Sequence, residues 1–291
     1  MLNRKVLSAL GVLLGAAPAV AYDSSYNMPV GVTQIAREVH SLHMIVFWIC
    51  VAIAVAVFGA MIYSIIAFRK SKGAVADTTM LHSTIVEVIW TTIPVLILVG
   101  MAVPAAKTLV RMDDTRNAEL SIKITGYQWK WQYEYLGKGI SFYSSLGAES
   151  NYARQLHSGI DPNTVKDYLL EVDHEVVVPV DTKVRLLLTA NDVIHSWWVP
   201  DFAVKKDAIP GFINEAWFKS EKIGHYTGQC TELCGRDHGF MPIVVNVVSK
   251  EDFARWVADQ QAAAKAAAEG AAPTATTATT NAPAASAAAA R

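Results

Sequence analysis

The sequence lacks an excess of charge of either sign. Its 291 residues include 25 Lys and Arg against 26 Asp and Glu, which gives a net charge of −1. Nucleic-acid binding needs a basic surface, so nucleic acid is excluded as a partner. The sequence contains no internal repeat and no Cys-x-x-Cys-His motif, which excludes a covalently attached c-type haem. Cysteine is scarce, with 3 residues in the whole chain.

Charge is also missing from two long apolar stretches, residues 44–68 and 88–106. A helix needs about 20 residues to cross a hydrocarbon core of about 30 Å. A helix buried in a soluble core rarely runs so long without a charge. Pro94 and Pro104 are tolerated in a membrane helix whose neighbours satisfy the freed carbonyl groups. We therefore predict two transmembrane helices, 44–68 and 88–107, that form a hairpin in the lipid bilayer.

The first residues are typical of an export signal. Arg4 and Lys5 precede an apolar run over 6–17, and the motif Ala-Val-Ala before residue 22 is a small-residue cleavage site. The alternative is a short membrane anchor, but the apolar run is too short to span a bilayer. The sequence therefore predicts a signal peptide over 1–21.

The loop between the two apolar stretches, residues 69–87, starts with basic side chains. They are Arg69, Lys70 and Lys72. Basic loops are retained in the cytoplasm. Since the signal peptide exports segment 22–43, the chain after the second span is also outside the cytoplasm. We predict a protein of the bacterial inner (plasma) membrane with its C-terminal domain on the periplasmic side.

From residue 118 to 249 the composition changes to short strand patterns separated by turn residues, which predicts a β-sandwich or barrel. Two strand patterns fill 119–135 and meet near Gly126. Further strands are predicted at 168–172, 175–178, 183–190, 214–219 and 243–248. The strict alternation before residue 136 predicts one aromatic strand face. Its members are Tyr127, Trp129, Trp131, Tyr133 and Tyr135. Residues 144–168 are polar and predict a long surface loop.

The chain ends in a predicted helix and a low-complexity tail. Ser249 is a predicted N-cap for a helix over 250–269, with Phe253, Trp256 and Val257 on one face. Residues 270–291 are almost entirely Ala, Thr and Pro and cannot bury a core, which predicts disorder.

Residues 230–241 place four soft or borderline metal ligands in one short stretch. They are Cys230, Cys234, His238 and Met241, with Glu232 between the cysteines. Such donors suit copper or zinc far better than magnesium or calcium. A disulfide and a structural zinc site are the alternatives. A disulfide leaves His238 and Met241 unexplained. Methionine contributes little to structural zinc but is a weak copper ligand, so copper is preferred.

The second cysteine distinguishes this loop from a mononuclear blue-copper site, which uses one Cys, one Met and two His. Two thiolates can bridge two copper ions, each of which then needs an imidazole and a weak ligand. His238 is one predicted imidazole. Met241 and the backbone carbonyl of Glu232 are the predicted weak ligands. The Glu232 carboxylate then remains free for a harder cation or a proton network.

The second imidazole has four candidates in the exported part of the chain. His157 lies in the polar loop and His174 at a turn, so both are expected to be exposed. His225 lies in a strand next to the cysteine loop and is a serious alternative as the second imidazole ligand. His195 follows the hydrophobic strand 183–190, whose end a sandwich can bring against the loop. His195 is therefore preferred.

Five motifs stand between about His40 and the last helix, together with His238 and Met241. They are Glu87-Val-Ile-Trp-Thr, Gly126-Tyr-Gln-Trp-Lys-Trp, Val193-Ile-His-Ser-Trp, Asp207-Ala-Ile-Pro-Gly and Gly228-Gln-Cys-Thr-Glu-Leu-Cys-Gly. With them the chain resembles subunit II of the haem–copper cytochrome c oxidases. The resemblance implies a membrane α-hairpin, a cupredoxin-like Greek-key β-barrel or sandwich with a dinuclear copper A centre, and a C-terminal helix. It also implies that the chain accepts electrons from cytochrome c and passes them to haem in subunit I, for oxygen reduction coupled to proton pumping.

The resemblance implies roles for individual residues. The implied copper ligands are His195, Cys230, the Glu232 carbonyl, Cys234, His238 and Met241. The Glu232 carboxylate is implied at a magnesium site shared with subunit I. Trp129 is implied as the site where the electron from cytochrome c enters, although its pattern alone is more typical of a core residue. Glu87 is implied at the mouth of a proton channel in subunit I, although its position alone favours a carboxylate at a helix N-terminus.

Partners implied by the resemblance are subunit I, further oxidase subunits and cytochrome c. The family docks cytochrome c partly through acidic residues, a role that Glu134, Asp173 and Asp192 fit. Some acidic positions of other members are occupied here by Lys138, Gly139, Tyr143 and Asn191. We therefore expect weaker electrostatic steering of the donor.

Three other protein classes fit less well. A quinol oxidase subunit of the same fold lacks the copper ligands, which are present here. A membrane-anchored copper carrier needs labile, exposed ligands rather than ligands divided between a strand and a loop. Nitrous oxide reductase has a similar copper site but is a soluble enzyme, which the hairpin argues against.

Overall fold

The computed structural model describes residues 27–75, 79 and 82–270. Two long helices are followed by a β domain and a last helix. The predicted signal peptide lies outside the described residues, as does the predicted tail beyond residue 270. Both stay predictions.

The two predicted membrane helices are present, and both are longer than their apolar runs. Helix α1 spans Gln34–Ala67 and helix α2 spans Thr84–Met112. Each is long and apolar enough to cross a membrane. The helices extend beyond the apolar runs, so helix bounds do not test where lipid begins, and the predicted membrane-spanning bounds stay a prediction. Helix α1 starts at its N-cap Thr33, whose Oγ1 accepts a hydrogen bond from the Ala36 N–H (2.9 Å).

The β domain consists of two five-stranded sheets. In chain order the strands are β1 (Leu120–Tyr127), β2 (Lys130–Tyr135), β3 (Ile140–Ser144), β4 (Val176–Pro179), β5 (Val184–Ala190), β6 (His195–Val199), β7 (Val204–Ala208), β8 (Asn214–Phe218), β9 (Gly224–Cys230) and β10 (Ile243–Val248). One sheet has the order β3-β2-β1-β5-β8 and the other β4-β10-β9-β6-β7. The pairs β1–β5 and β4–β10 are parallel, whereas the other pairs are antiparallel. The predicted all-β domain is confirmed.

The core contains the inward-facing side chains of both sheets. Strand β5 alternates between buried and half-buried positions along its whole length. This is the pattern of a strand with one face on a core. The leucine and isoleucine side chains of this cluster that are fully buried are Ile122, Ile124, Leu186, Leu188 and Ile243. Each such side chain contributes about 1.5–3 kcal/mol when it is fully buried.

The predicted aromatic face is correct for only part of its length. Trp131, Tyr133 and Tyr135 are almost fully buried. Tyr127 of β1 pairs with Lys130 of β2, so residues 128–129 form the turn of a hairpin. The chain therefore reverses two residues after Gly126, and Trp129 lies in a turn rather than in a strand.

The prediction of a strand at 168–172 is wrong. Residues 168–170 form turns, and only Val172 makes an isolated bridge, to Leu146. Asp167 and Leu169 have φ values of 47° and 64°, which an extended strand does not permit. The surface loop predicted at 144–168 contains a short helix, α3 (Ala148–Ala153). The sequence patterns do not predict β3, β6 or β7.

The C-terminal helix, α4, spans Lys250–Gly270 and confirms the predicted cap. Ser249 Oγ accepts a hydrogen bond from the Asp252 N–H (3.0 Å). Phe253 is buried, and Trp256 and Val257 pack against the domain core. The helix therefore packs against β3 and β4, which are edge strands of the two sheets.

The helical hairpin is bonded directly to the β domain. Thr33 Oγ1 donates to the Phe202 carbonyl (3.1 Å), and Arg37 forms an ion pair with Glu221 (2.9 Å). The end of α2 is held as well, because Trp217 Nε1 donates to a carbonyl of its last turn (3.1 Å). The end of the hairpin nearest the β domain is thereby joined to it at both helices.

Candidate metal centre

Three buried side chains converge at one end of the sandwich. The ligand atoms of His195, Cys230 and Cys234 all lie within 4.8 Å of one another. His195 is the first residue of β6 and Cys230 the last of β9, and β6 pairs with β9 through Trp197 and Cys230. Sheet pairing therefore brings together residues that are far apart in the sequence.

The remaining predicted ligands complete this cluster. Cys230 Sγ lies 3.9 Å from His195 Nδ1 and 3.4 Å from the Glu232 carbonyl oxygen. Cys234 Sγ lies 3.5 Å from His238 Nδ1 and 3.6 Å from Met241 Sδ. Each sulfur thus has one imidazole and one weaker donor as neighbours. All six predicted donor groups are brought together.

The two thiols are arranged for a cation rather than for a disulfide. Both are free, and their sulfur atoms are 3.9 Å apart, whereas a disulfide bond is about 2.05 Å long. Burial, followed by the neighbouring thiol of Cys230, raises the pKa of Cys234 to about 12. Metal ligation requires thiolates, so a bound cation must offset this cost. Sulfur and imidazole donors fit copper and do not fit magnesium or calcium.

A glycine provides the space for the His195 ring. A Cβ added to Gly126 on β1 would lie 2.7 Å from His195 Cδ2 and 2.9 Å from Cγ. The imidazole therefore lies directly on the backbone of the neighbouring sheet. Only a residue without a side chain permits this approach.

Asp192 orients the same ring. His195 Nε2 donates to Asp192 Oδ1 (2.9 Å), and the N–H groups of Gln128 and Val193 donate to the same carboxylate (2.7 Å each). Burial by itself would raise the pKa of Asp192, but these hydrogen bonds outweigh it and lower the pKa. With its proton on Nε2, His195 directs the lone pair of Nδ1 at the cluster.

Trp131 supports the cluster from the core side. Its Nε1 donates to the Met241 carbonyl (3.2 Å), and its ring meets the His195 ring edge-on at 5.8 Å. Sequence reasoning did not assign Trp131, Gly126 or Asp192 to the site. Asp192 stands three residues before His195, a short spacing that could have identified it as an orienting group.

The three rejected histidines lie outside the cluster. His225 is exposed and its Nδ1 is 3.2 Å from Glu175. It stands five residues before Cys230 on the same strand, and an odd spacing places two side chains on opposite faces. His174 and His157 are also exposed.

Trp129 lies immediately beside the cysteine loop. Gln128, its neighbour in the turn, donates from Nε2 to the Cys234 carbonyl (2.8 Å). A Cβ on Gly235 would lie 3.1 Å from Trp129 Cζ2, so the indole packs against this backbone. The guanidinium of Arg236 lies 5.5 Å from the ring centroid. Trp129 Nε1 is buried and has no hydrogen-bond partner within the described part of the chain.

Glu87 is far from this cluster. It lies in the first turn of α2, whereas the β domain follows the other end of that helix. Its N–H donates to the Ser83 carbonyl (3.0 Å). The structure is therefore compatible with a role on the opposite side of the membrane but not with copper ligation.

The three predicted docking carboxylates all have partners within the chain. Glu134 pairs with Lys123 (3.0 Å), and Asp173 accepts from the Ser145 N–H (2.7 Å). Asp192 faces His195, as described above. Docking through Glu134, Asp173 and Asp192 stays a prediction.

Together, the hairpin, the two-sheet domain and the sulfur–imidazole cluster define a membrane-anchored metal-binding protein with an extracytoplasmic cupredoxin-like domain. Comparisons identify the family. The profile described as "Cytochrome C oxidase subunit II, periplasmic domain" matches residues 120–248, and its transmembrane-domain counterpart matches residues 21–108. The chain belongs to the cytochrome c oxidase subunit II family.

Relatives from the sequence comparison agree with this assignment. A probable cytochrome c oxidase subunit 2 of Rickettsia bellii is 38% identical over 267 residues, which cover 90% of this chain and 94% of the relative. Cytochrome c oxidase subunit 2 of Cereibacter sphaeroides is 36% identical over 231 residues, with 77% and 76% covered. Among solved structures, the periplasmic domain of subunit II (CoxB) of Bradyrhizobium japonicum is 42% identical, with a TM-score of 0.45; the match covers 51% of this chain and 98% of that one.

Proposed function

We propose that this chain is the subunit through which electrons enter a respiratory, proton-translocating cytochrome c oxidase. It takes electrons from cytochrome c at a dinuclear copper A centre and delivers them to haem in subunit I, where oxygen is reduced and protons are pumped. The chain itself makes and breaks no covalent bonds of a substrate.

The donor cluster is the observation that carries the proposal. The six ligands are His195, Cys230, the Glu232 carbonyl, Cys234, His238 and Met241. Two neighbouring buried sulfurs, each with one imidazole and one weak donor, match the requirements of two copper ions. Bound copper supplies one-electron redox chemistry. The protein contributes buried ligands that packing and hydrogen bonds hold in place, which would keep reorganisation small during electron transfer.

In this proposal the Trp129 side chain faces cytochrome c and is the site at which the electron enters. An unpaired buried N–H costs about 1–3 kcal/mol, and phenylalanine would fill a structural role without that cost. The indole also packs one residue away from the ligand Cys234. Both observations favour a role for the indole ring itself.

The neighbouring surface is suited to partner proteins. Leu233, between the two ligands of its loop, is 80% exposed, and Val193 and Ile194 before His195 are exposed as well. Exposed apolar side chains next to a functional site mark interaction surfaces. We assign this surface to subunit I and cytochrome c, with further oxidase subunits elsewhere on the chain. The Glu232 carboxylate is exposed and would bind a magnesium ion shared with subunit I.

Glu87 and the membrane position complete the proposal. Glu87 stands at the cytoplasmic mouth of a proton channel in subunit I, since carboxylates at membrane depth mark proton paths. The hairpin lies in the bacterial inner membrane, and the copper domain projects into the periplasm.

The decisive measurement is copper stoichiometry with electron paramagnetic resonance on the purified chain. Two copper ions that share one unpaired electron are expected. Cys234→Ser should abolish this signal, whereas Cys50→Ser, in the lipid-facing part of α1, should retain it. A single blue-copper signal, or no bound copper in the unaltered chain, would contradict the proposal.

A further inference from the structure

The segment between β3 and β4 forms a closed insertion on the β domain. Its two ends are joined by the Leu146–Val172 bridge and by a hydrogen bond from the Gly147 N–H to the Glu171 carbonyl (2.9 Å). Helix α3 lies inside this loop, and Arg154 directly follows it as its C-cap. The insertion is therefore an ordered structure that carries Arg154 in a defined position.

Arg154 contacts the metal-ligand loop on both sides of His238. Its Nη1 lies 3.5 Å from Asp237 Oδ1, and its guanidinium carbon lies 4.3 Å from the Phe240 ring centroid. Its Nε donates to Asn151 Oδ1 (2.8 Å), which fixes the plane of the guanidinium. The Arg154 and Asp237 side chains are only 21% and 16% exposed, so solvent screens this pair weakly.

The ligand loop has little support of its own at this point. Residues His238–Phe240 form one turn of 3-10 helix, held by a hydrogen bond from the Phe240 N–H to the Asp237 carbonyl (2.9 Å). Such short turns are marginal in isolation. Arg236 also lies near Asp237 (3.4 Å), but its side chain is 81% exposed and adds little. External support therefore comes from the insertion.

We propose that Arg154 is a positioning residue for the copper centre. It clamps Asp237 and Phe240, and so holds His238 Nδ1 against Cys234 Sγ. The planar guanidinium pairs with a carboxylate and stacks on a ring at the same time, which the point charge of lysine cannot reproduce. This inference rests on the proposed function, because the ligand it positions belongs to that centre.

The test compares Arg154→Met with Lys166→Met in the full-length chain. Lys166→Met removes an exposed cation from the same insertion without touching the ligand loop. In copper-free protein, tryptic cleavage after Arg236 reports opening of the loop. We expect Arg154→Met to speed this cleavage about tenfold and Lys166→Met to leave it unchanged. After copper loading, Arg154→Met should release copper to a chelator on the order of tenfold faster, with an altered paramagnetic spectrum.

Two further variants keep the test decisive. Arg154→Lys retains the charge but loses the fork and the stacking, so it should restore only part of the wild-type behaviour. Phe240→Leu probes the same clamp from the other side if Arg154→Met does not fold. The inference is overturned if Arg154→Met leaves cleavage after Arg236, copper release and the paramagnetic spectrum at wild-type levels. This holds even if the variant has a lowered melting temperature. If the unaltered chain binds no copper, the proposed function fails, and the tryptic comparison still decides whether Arg154 holds the loop.

Discussion

Replacing Gly126 by alanine should disturb the copper centre through the single carbon atom that it adds, the Cβ. The added Cβ would lie 2.7, 2.9 and 3.1 Å from Cδ2, Cγ and Cβ of His195, whereas carbon atoms in contact are about 3.5–4.0 Å apart. The His195 ring would have to move by about 1 Å. Its surroundings resist this movement, because the ring is fully buried, is hydrogen-bonded to Asp192 and contacts Trp131.

The magnitude follows from the cost of overpacking. One methyl group forced into a filled site costs about 1–3 kcal/mol. In the copper-free chain the ring can relax partly, whereas copper holds His195 in its native position, so part of this cost falls on copper binding. We therefore expect up to about hundredfold weaker copper binding for Gly126→Ala, at about 1.4 kcal/mol per tenfold. Copper-free stability should change less, because replacing glycine by alanine also stabilises the folded chain by about 0.4–1 kcal/mol through the unfolded state.

Competition with a copper chelator measures this loss, and the paramagnetic spectrum reports the ligand geometry. Gly239→Ala is the matched control, since it lies in the ligand loop but an added Cβ meets no atom within 4 Å. It should bind copper as the unaltered chain does. If Gly126→Ala also binds copper with unaltered affinity and spectrum, the steric reasoning is refuted.

Four other outcomes are expected. Asp192→Asn should weaken copper binding about 10–100-fold in chelator competition, because the imidazole loses its orienting carboxylate; unaltered affinity would contradict this. Trp129→Phe should slow electron transfer from cytochrome c in stopped-flow measurements and leave the copper spectrum intact, whereas an unchanged rate would make the indole a packing residue. Glu87→Gln should lower oxygen turnover without changing copper reduction, and normal turnover would indicate a role only at the helix N-terminus. Glu215 has its pKa lowered, mainly by hydrogen bonds from Arg185 and Thr115, so its stabilisation is present above its unfolded pKa and is lost as pH falls through the lower folded value. Glu215→Gln should therefore lower stability near pH 7 by under about 1 kcal/mol and flatten the acid side of a melting-temperature profile; a parallel shift at all pH values would disagree.

The sequence predicted the parts of this structure that depend on local pattern. Apolar runs identify the two membrane helices, and strand β5 follows its alternation from Val184 to Ala190. The cysteine loop is recognisable because its donors are close in sequence. His195 was preferred to His225, and the structure places His195, not His225, beside the two cysteines. Strand parity explains this placement better than proximity to the loop does.

Other features depend on contacts that no local pattern contains. The alternation of aromatic and polar residues in the sequence continues through Trp129, although the chain turns at residues 128–129. A periodic pattern does not indicate where a hairpin reverses. The close approach of Gly126 to His195 results from pairing between distant strands. The strand predicted at 168–172 is apolar enough in composition, but residues such as Leu169 take turn conformations within the closed insertion.

The length of helix α1 has a mechanical consequence. At about 1.5 Å per residue, Gln34–Ala67 extends for about 50 Å, well beyond a hydrocarbon core of about 30 Å. Its first turns therefore extend above the lipid. The β domain is attached to them by the hydrogen bond of Thr33 and the ion pair of Arg37. The height of the metal cluster above the bilayer is thus set by a continuous helix rather than by a flexible linker. A domain supported in this way keeps a fixed height above the hydrocarbon core, because a helix is stiffer than a flexible linker.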